Sequence, residues 1–217
     1  PGSVGGRVYE YLQASGFSGN VYAINPKYTN LGGQPCFPDI HSIDERVDLA
    51  VIATPAATVP GILRECGESG IGVVIGYSAG FGKSNEHGQK LSQTILDVAR
   101  QYSIRLLGPN CLGLIRPAVN MNATFSKNSA NPGKLALVSQ SGALCTAVLD
   151  WAMGHDIGFS TIVSLGDAAD IDFGDILDYL AQDARTHSIL LYVEGVRDAR
   201  GFMSGLRSAA RMKPVIV

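Results

Sequence analysis

The sequence predicts an α/β protein made of two doubly wound parallel-sheet domains. Three observations lead there. Short apolar runs alternate with helical patterns along the chain, the alternation restarts once near the middle, and small, Gly, Pro or Asn residues follow each apolar run. In the first half, strands are expected over 21–25, 48–53, 72–76 and 105–107, with helices over 6–14, 59–68 and 86–102. The stretch 117–133 has Asn, Ser and Pro and little periodicity, so it reads as an interdomain connection. The second half then offers strands over 135–139, 160–165, 189–194 and 214–217, and helices near 143–153, 173–182 and 199–211. The division expected is 1–127 and 128–217.

Composition narrows the function classes. The 217 residues are 46% apolar with a net charge of −2 and dispersed Lys and Arg, which gives no electrostatic footprint for nucleic acid or an anionic membrane. Cys36, Cys66, Cys111 and Cys145 are widely spaced and form no metal-ligand or disulfide pattern, so they read as reduced thiols of a cytoplasmic protein. No apolar run reaches the roughly 20 residues a membrane span needs. The glycine turn Gly2-Ser3-Val4-Gly5-Gly6 opens directly on a helix, whereas such a turn normally follows a strand. The last strand stops at Val217. Both ends therefore read as cuts from a longer polypeptide.

The turns carry the chemistry. Ser139-Gln140-Ser141-Gly142 lies between an apolar run and a helical pattern, where free N–H groups, the positive end of a helix dipole and two hydroxyls suit an anion. The glycine turn at residues 2–6 admits a pyrophosphate, but the acid that nicotinamide binding wants at the end of the next strand is replaced by Asn25-Pro26-Lys27. Lys27 favours a ligand with a ribose phosphate, which coenzyme A and NADP both carry; its plainer and less favoured reading is a solvated lysine after a turn. Thr54-Pro55, Ser78-Ala79-Gly80 and Gly108-Pro109-Asn110 follow successive strands, so they should converge at the carboxyl edge of the sheet.

These residues resemble the α-subunit-like region of NDP-forming acyl-CoA synthetases, relatives of succinyl-CoA synthetase. The resemblance covers essentially the whole chain: Asn25-Pro26-Lys27, Gly108-Pro109-Asn110 with Gly113, Val138-Ser-Gln-Ser-Gly142, Gly166-Asp167, Glu194 and Lys213-Pro214 stand in the family's order and spacing. It implies a Rossmann-like CoA-binding domain lacking its first strand, then a flavodoxin-like ligase domain. It assigns coenzyme A or acyl-CoA to Gly2, Ser3, Val4, Gly5, Pro26, Lys27, Thr54, Pro55, Ser78, Ala79, Gly80 and Asn110. It assigns the phosphoryl group or a phosphohistidine to Ser139, Ser141 and Gly142, with Glu194 orienting the histidine. That histidine is expected beyond the final strand. ATP, ADP and Mg would enter through an ATP-grasp domain or subunit, and oligomers are expected.

Other residues have plainer readings. His155 and His187 fall in helix-to-strand connections, His41 in a loop after a Pro-rich turn, and His87 at a solvated helix start, so none replaces the family's histidine. Leu144, Val148 and Trp151 share one helix face at i, i+4, i+7 spacing and read as buried. The acids of 166–172 read as a cap for the helix near Phe173 rather than a metal site. Two other functions remain open at this point: an acyl-CoA-sensing region like that fused to bacterial protein lysine acetyltransferases, carried by Leu149-Asp-Trp-Ala152 and Leu177-Asp-Tyr-Leu180, and an NADP-binding oxidoreductase domain.

Overall fold

The computed structural model describes residues 2–82 and 86–217, and of His87 the backbone alone. Helix α1 (Val4–Ala14) is started by Ser3, whose Oγ accepts the Gly6 N–H at 3.1 Å. A small sheet follows, in which β1 (Ala23–Ile24) pairs parallel with β3 (Gln34–Phe37), while β2 (Asn30–Leu31) pairs antiparallel with β3. The β2–β3 hairpin was not expected; it turns on Gly32-Gly33, both at positive φ, which suits a two-residue hairpin loop.

Strands β4 (Ala50–Ile52), β5 (Val73–Gly76) and β6 (Arg105–Leu107) form a parallel sheet in that order. Helices α2 (Val59–Glu68) and α3 (Glu86–Gln101) connect them. Period-2 alternation decides the faces. Ile52, Val74 and Leu106 pack with Leu63 and Cys66 of α2 and Ile95 and Val98 of α3. On the other face Ile75 and Leu107 join Val8 of α1 in a core that continues into the second half through Val138, Leu177 and Leu191. The two halves therefore share a core.

The second sheet has the order β12-β11-β9-β10-β7-β8. It comprises β7 (Gly113–Arg116), β8 (Met121–Thr124), β9 (Pro132–Ser139), β10 (Phe159–Ser164), β11 (Ser188–Tyr192) and β12 (Val215–Ile216). Helix α4 (Gly142–Met153) covers one face, and α5 (Phe173–Gln182) and α6 (Ala199–Met212) pack together on the other. The expected connection over 117–133 is instead largely structured: it holds a 3-10 turn, β8 and the start of β9. Hairpin β7–β8 pairs antiparallel with β10, Ile115 opposite Ile162, so residues 113–124 belong to the second sheet by pairing. Tyr77 Oη donates to Ala123 O at 2.6 Å and pins the hairpin to the first half.

The face of α4 is also corrected. Its buried stripe is Cys145, Leu149 and Ala152, and Trp151 is 56% exposed, stacked on His155 with ring centroids 4.2 Å apart. The i, i+4, i+7 rule held, but for the neighbouring register. The acids did cap: Asp172 and Asp175 form a reciprocal capping box at the start of α5. All four cysteines are free and buried, and burial pushes the Cys66 and Cys111 thiols up to about 12.

Candidate functional site

The first group of turns gathers where the strands β4, β5 and β6 end. The first turn of α1 lies against the residue after β4, since a Cβ on Gly5 would stand 3.3 Å from Ala53 Cβ. Ser78 Oγ donates to Thr54 O at 2.5 Å, joining the ends of β4 and β5. Asn110 N donates to Ser78 O at 3.1 Å and adds the turn after β6. Gly80, at φ +105, sets its backbone over Ala56. The structure thus brings Gly5, Thr54, Ser78, Gly80 and Asn110 together. Pro26 and Lys27 make no hydrogen bond to this group. They follow β1, where Asn25 Oδ1 accepts the Lys27 N–H at 3.0 Å, and the Lys27 side chain is exposed with no ion pair among the described residues.

This surface offers the kind of donors a phosphate-bearing ligand such as coenzyme A needs. Among the described residues the N–H groups of Val4 and Gly5 have no acceptor, and the side-chain space of Gly2 is open. An exposed helix start of this kind takes a phosphate, and the exposed Lys27 adds a cation.

The second group lies at the carboxyl ends of β9, β10 and β11. Ser139 is fully buried: its Oγ accepts the Ser141 N–H at 2.9 Å and donates to Ser141 O at 3.0 Å. Its hydroxyl therefore shapes the turn from inside and does not face outward, contrary to the expectation that both serine hydroxyls would reach an anion. Ser141 Oγ accepts the Leu144 N–H at 3.3 Å as the cap of α4, which leaves its proton available. Among the described residues, the backbone donors of this turn without an acceptor are the N–H groups of Gly142 and Ala143. Ala143 was not singled out from sequence, although any residue in the first turn of a helix carries such a donor. A Cβ on Gly142 would meet Leu112 Cβ at 3.2 Å, so a glycine keeps this turn close to the hairpin.

Glu194 lies beyond the end of β11, one strand over from Ser139, with its side chain exposed. Gln140 joins the two. Its Oε1 accepts the N–H of Glu194 at 2.7 Å and of Gly195 at 3.0 Å, and its Nε2 donates to Gly195 O at 2.9 Å. Arg197 Nη1 then donates to Ala168 O at 2.7 Å and Ala169 O at 3.0 Å, tying in the turn after β10. Between these side chains is a slot of about 10 Å³, room for one water at most. Gln140 and Arg197 escaped the sequence reading because their work depends on a strand-order neighbour far along the chain.

Asp167 connects the groups. Its Oδ1 accepts from Asn110 Nδ2 at 3.1 Å, and its N–H donates to Pro109 O at 2.9 Å. Burial pushes the Asp167 carboxyl above its ordinary value, and the Asn110 amide offsets part of this. The histidines stand elsewhere: His41 beside Ser69 past the end of α2, His155 at the end of α4, and His187 before β11. The His87 side chain is outside the described residues.

Comparison with known proteins matches the two halves of the chain to two family models. Residues 1–117 match a family model described as "CoA binding domain", and residues 132–217 one described as "Succinyl-CoA ligase like flavodoxin domain". The chain is 46% identical over 216 residues to an acetate–CoA ligase (ADP-forming) I of Archaeoglobus fulgidus, covering 100% of this chain and 31% of that protein. It is 40% identical over 221 residues to the α subunit of acetate–CoA ligase (ADP-forming) I of Pyrococcus furiosus, covering 100% of this chain and 48% of the subunit. The solved structure of the dinucleotide forming acetyl-coenzyme A synthetase 1 of Ca. Korarchaeum cryptofilum, in complex with phosphate and ADP, superposes with a TM-score of 0.94 at 34% identity, over 100% of this chain and 47% of that one. The chain thus spans between about a third and a half of the length of these relatives. Their names favour neither the acetyltransferase-linked sensor nor the NADP-binding domain. With both domains matched in order, the chain belongs to the NDP-forming acyl-CoA synthetase family, as its CoA-binding domain followed by its succinyl-CoA-ligase-like flavodoxin domain.

Proposed function

We propose that this chain is the CoA-binding and phosphoryl-handling portion of an ADP-forming acyl-CoA synthetase, which interconverts a carboxylic acid, CoA and ATP with acyl-CoA, ADP and phosphate. The observation that carries the reading is the hydrogen bond between Asn110 and Asp167, which sets the turns suited to CoA beside the anion turn at the ends of the second sheet. Gly2, Ser3, Val4 and Gly5 would receive the pyrophosphate on the N–H groups of α1. Pro26 and Lys27 would meet the ribose phosphate, and Thr54, Pro55, Ser78, Ala79, Gly80 and Asn110 would line the pantetheine arm. The thiol of CoA supplies the acyl acceptor.

In the same proposal the N–H groups of Gly142 and Ala143, with the Ser141 hydroxyl, hold a phosphoryl group. Ser139 keeps that turn in shape. Phosphoryl transfer needs positioning and fixed donors more than covalent help from the protein, which is what an open helix start provides. Glu194 would accept the N–H of the imidazole that carries the phosphoryl group, holding its tautomer and orientation. The functional division at 127/128 is part of the proposal, with hairpin β7–β8 strapping the first unit to the second sheet. So are an ATP-grasp partner, which brings ATP, ADP and Mg, a cytoplasmic setting and an oligomeric parent. A fused acetyltransferase domain finds no support and is not part of it.

Acetate, ATP and CoA with this chain alone should give no acyl-CoA, and adding the ATP-grasp portion of the parent should restore ligation. Calorimetry should register CoA binding and no NADP binding. Turnover by the isolated chain, or NADP bound in preference to CoA, would refute the reading.

A further inference from the structure

We infer that Gln140 is a positioning residue for Glu194, an inference that rests on the proposed role of Glu194 and extends it to a side chain that touches no reactant. The Gln140 amide is nearly saturated by one loop: both Oε1 lone pairs take N–H groups, from Glu194 and Gly195, and one Nε2 proton goes to Gly195 O. Its own backbone N–H donates to Tyr192 O at 3.3 Å, so residue 140 grips the chain on both sides of Val193.

That grip is not needed to satisfy buried groups. Gln140 is half-buried, and Glu194 and Gly195 are exposed, so water would satisfy the same N–H and C=O groups if the side chain were removed. What the amide adds is a fixed path for the backbone that carries Glu194. The Glu194 carboxylate makes no hydrogen bond or ion pair among the described residues, so the backbone from which it projects is the part that Gln140 can hold. Gln140 stands between the anion turn, formed by the N–H groups of Gly142 and Ala143 with the Ser141 hydroxyl, and the acid across from it. One side chain therefore fixes the spacing between the phosphoryl cradle and the imidazole acceptor.

Substitutions separate the parts of this role. Q140M keeps the length and removes every hydrogen bond. Q140E keeps the acceptor for the two N–H groups but sets a carboxylate oxygen against Gly195 O, so it should hold the Glu194 amide while displacing the carbonyl. A displacement of the order of an ångström at a positioned group costs about a hundredfold in rate.

The test uses the full-length parent with its ATP-grasp portion. In Q140M, the amide protons of Glu194 and Gly195 should exchange with solvent at least about tenfold faster, with the amides of β9 unchanged. kcat should fall by about tenfold to a hundredfold while KM for CoA stays level, because the CoA turns are held separately. Q140E should fall between Q140M and the parent. In an E194Q background, Q140M should cause no further loss, since residues acting through one another are non-additive. An equal loss in both backgrounds, or unchanged exchange at Glu194 and Gly195, overturns the inference. A parent that ligates no acid at all refutes the proposed function instead, and the exchange measurement still decides whether Gln140 holds Glu194.

Discussion

Asn110 and Asp167 meet across the boundary of the two sheets, Nδ2 to Oδ1 at 3.1 Å, and the carboxyl is raised above its ordinary value because burial outweighs that bond. A raised carboxyl destabilises the fold where it is forced to ionise. The cost is absent below the unfolded value of about 3.9, grows as pH rises, and is complete above the folded value. D167N removes the charge and leaves an Oδ1 to accept from Asn110. Its Tm should therefore equal the parent's in acid and exceed it at neutral pH. A lower Tm at pH 7 would contradict this account of Asp167.

The opposite sign holds for Asp183. Arg116 Nη1 and Nη2 grip its two oxygens at 2.8 and 2.9 Å, and the side chains are 13% and 9% exposed. The guanidinium holds the carboxyl well below the usual carboxylate range. This stability is present above about pH 3.9 and is lost as pH falls towards the depressed folded value. D183N should cost about 3 kcal/mol at pH 7, because it strands a largely buried guanidinium. The double variant R116M/D183L should recover most of it, as measured by denaturant unfolding. A cost that persists undiminished in the double variant would show that the shape of the pair, not its charge, matters.

How far the sequence carried can be judged residue by residue. The parallel strands and their helices were legible because burial on both faces leaves unbroken apolar runs such as Leu135-Ala-Leu-Val138, and because Ser3, Ser141 and Asp172 signal helix starts. The Gly32-Gly33 hairpin was not expected: two glycines are a turn signature, but its strands of two and four residues are too short to stand out. Hairpin β7–β8 was not expected either. The close approach of its two strands depends on Gly113, where φ is +112 and a Cβ would collide with Ala123 O of β8, a constraint visible only in three dimensions. At the candidate site the turns were readable, while the burial of the Ser139 hydroxyl and the grip of Gln140 on Glu194 depend on which strands are neighbours.

Lys27 gives a prediction about ligand chemistry. Its side chain is exposed and has no ion pair among the described residues, and the proposal sets it against the ribose phosphate of CoA. K27A should weaken CoA binding about tenfold, the loss expected for one charge-assisted hydrogen bond. Dephospho-CoA should bind the parent and K27A alike. Calorimetry with both ligands decides it, and equal weakening for both would place Lys27 elsewhere on the molecule.

Gly166 tests whether the two groups of turns act as one site. It lies after β10 at φ +56, and a Cβ there would stand 2.4 Å from both Pro109 O and Asn110 O. Those carbonyls belong to backbone that cannot yield without moving Asn110, and Asn110 N is bonded to Ser78 O. G166A should therefore strain the second half and disturb the first. The expected cost is about 2 kcal/mol of stability from the forced backbone, with CoA bound about fivefold more weakly, a coupling near 1 kcal/mol. G72A is the control, because a Cβ at Gly72 meets nothing within 4 Å. If G166A loses stability but binds CoA as tightly as G72A, the anion turn and the CoA turns are neighbours that do not communicate, and the shared-site reading fails at its joint.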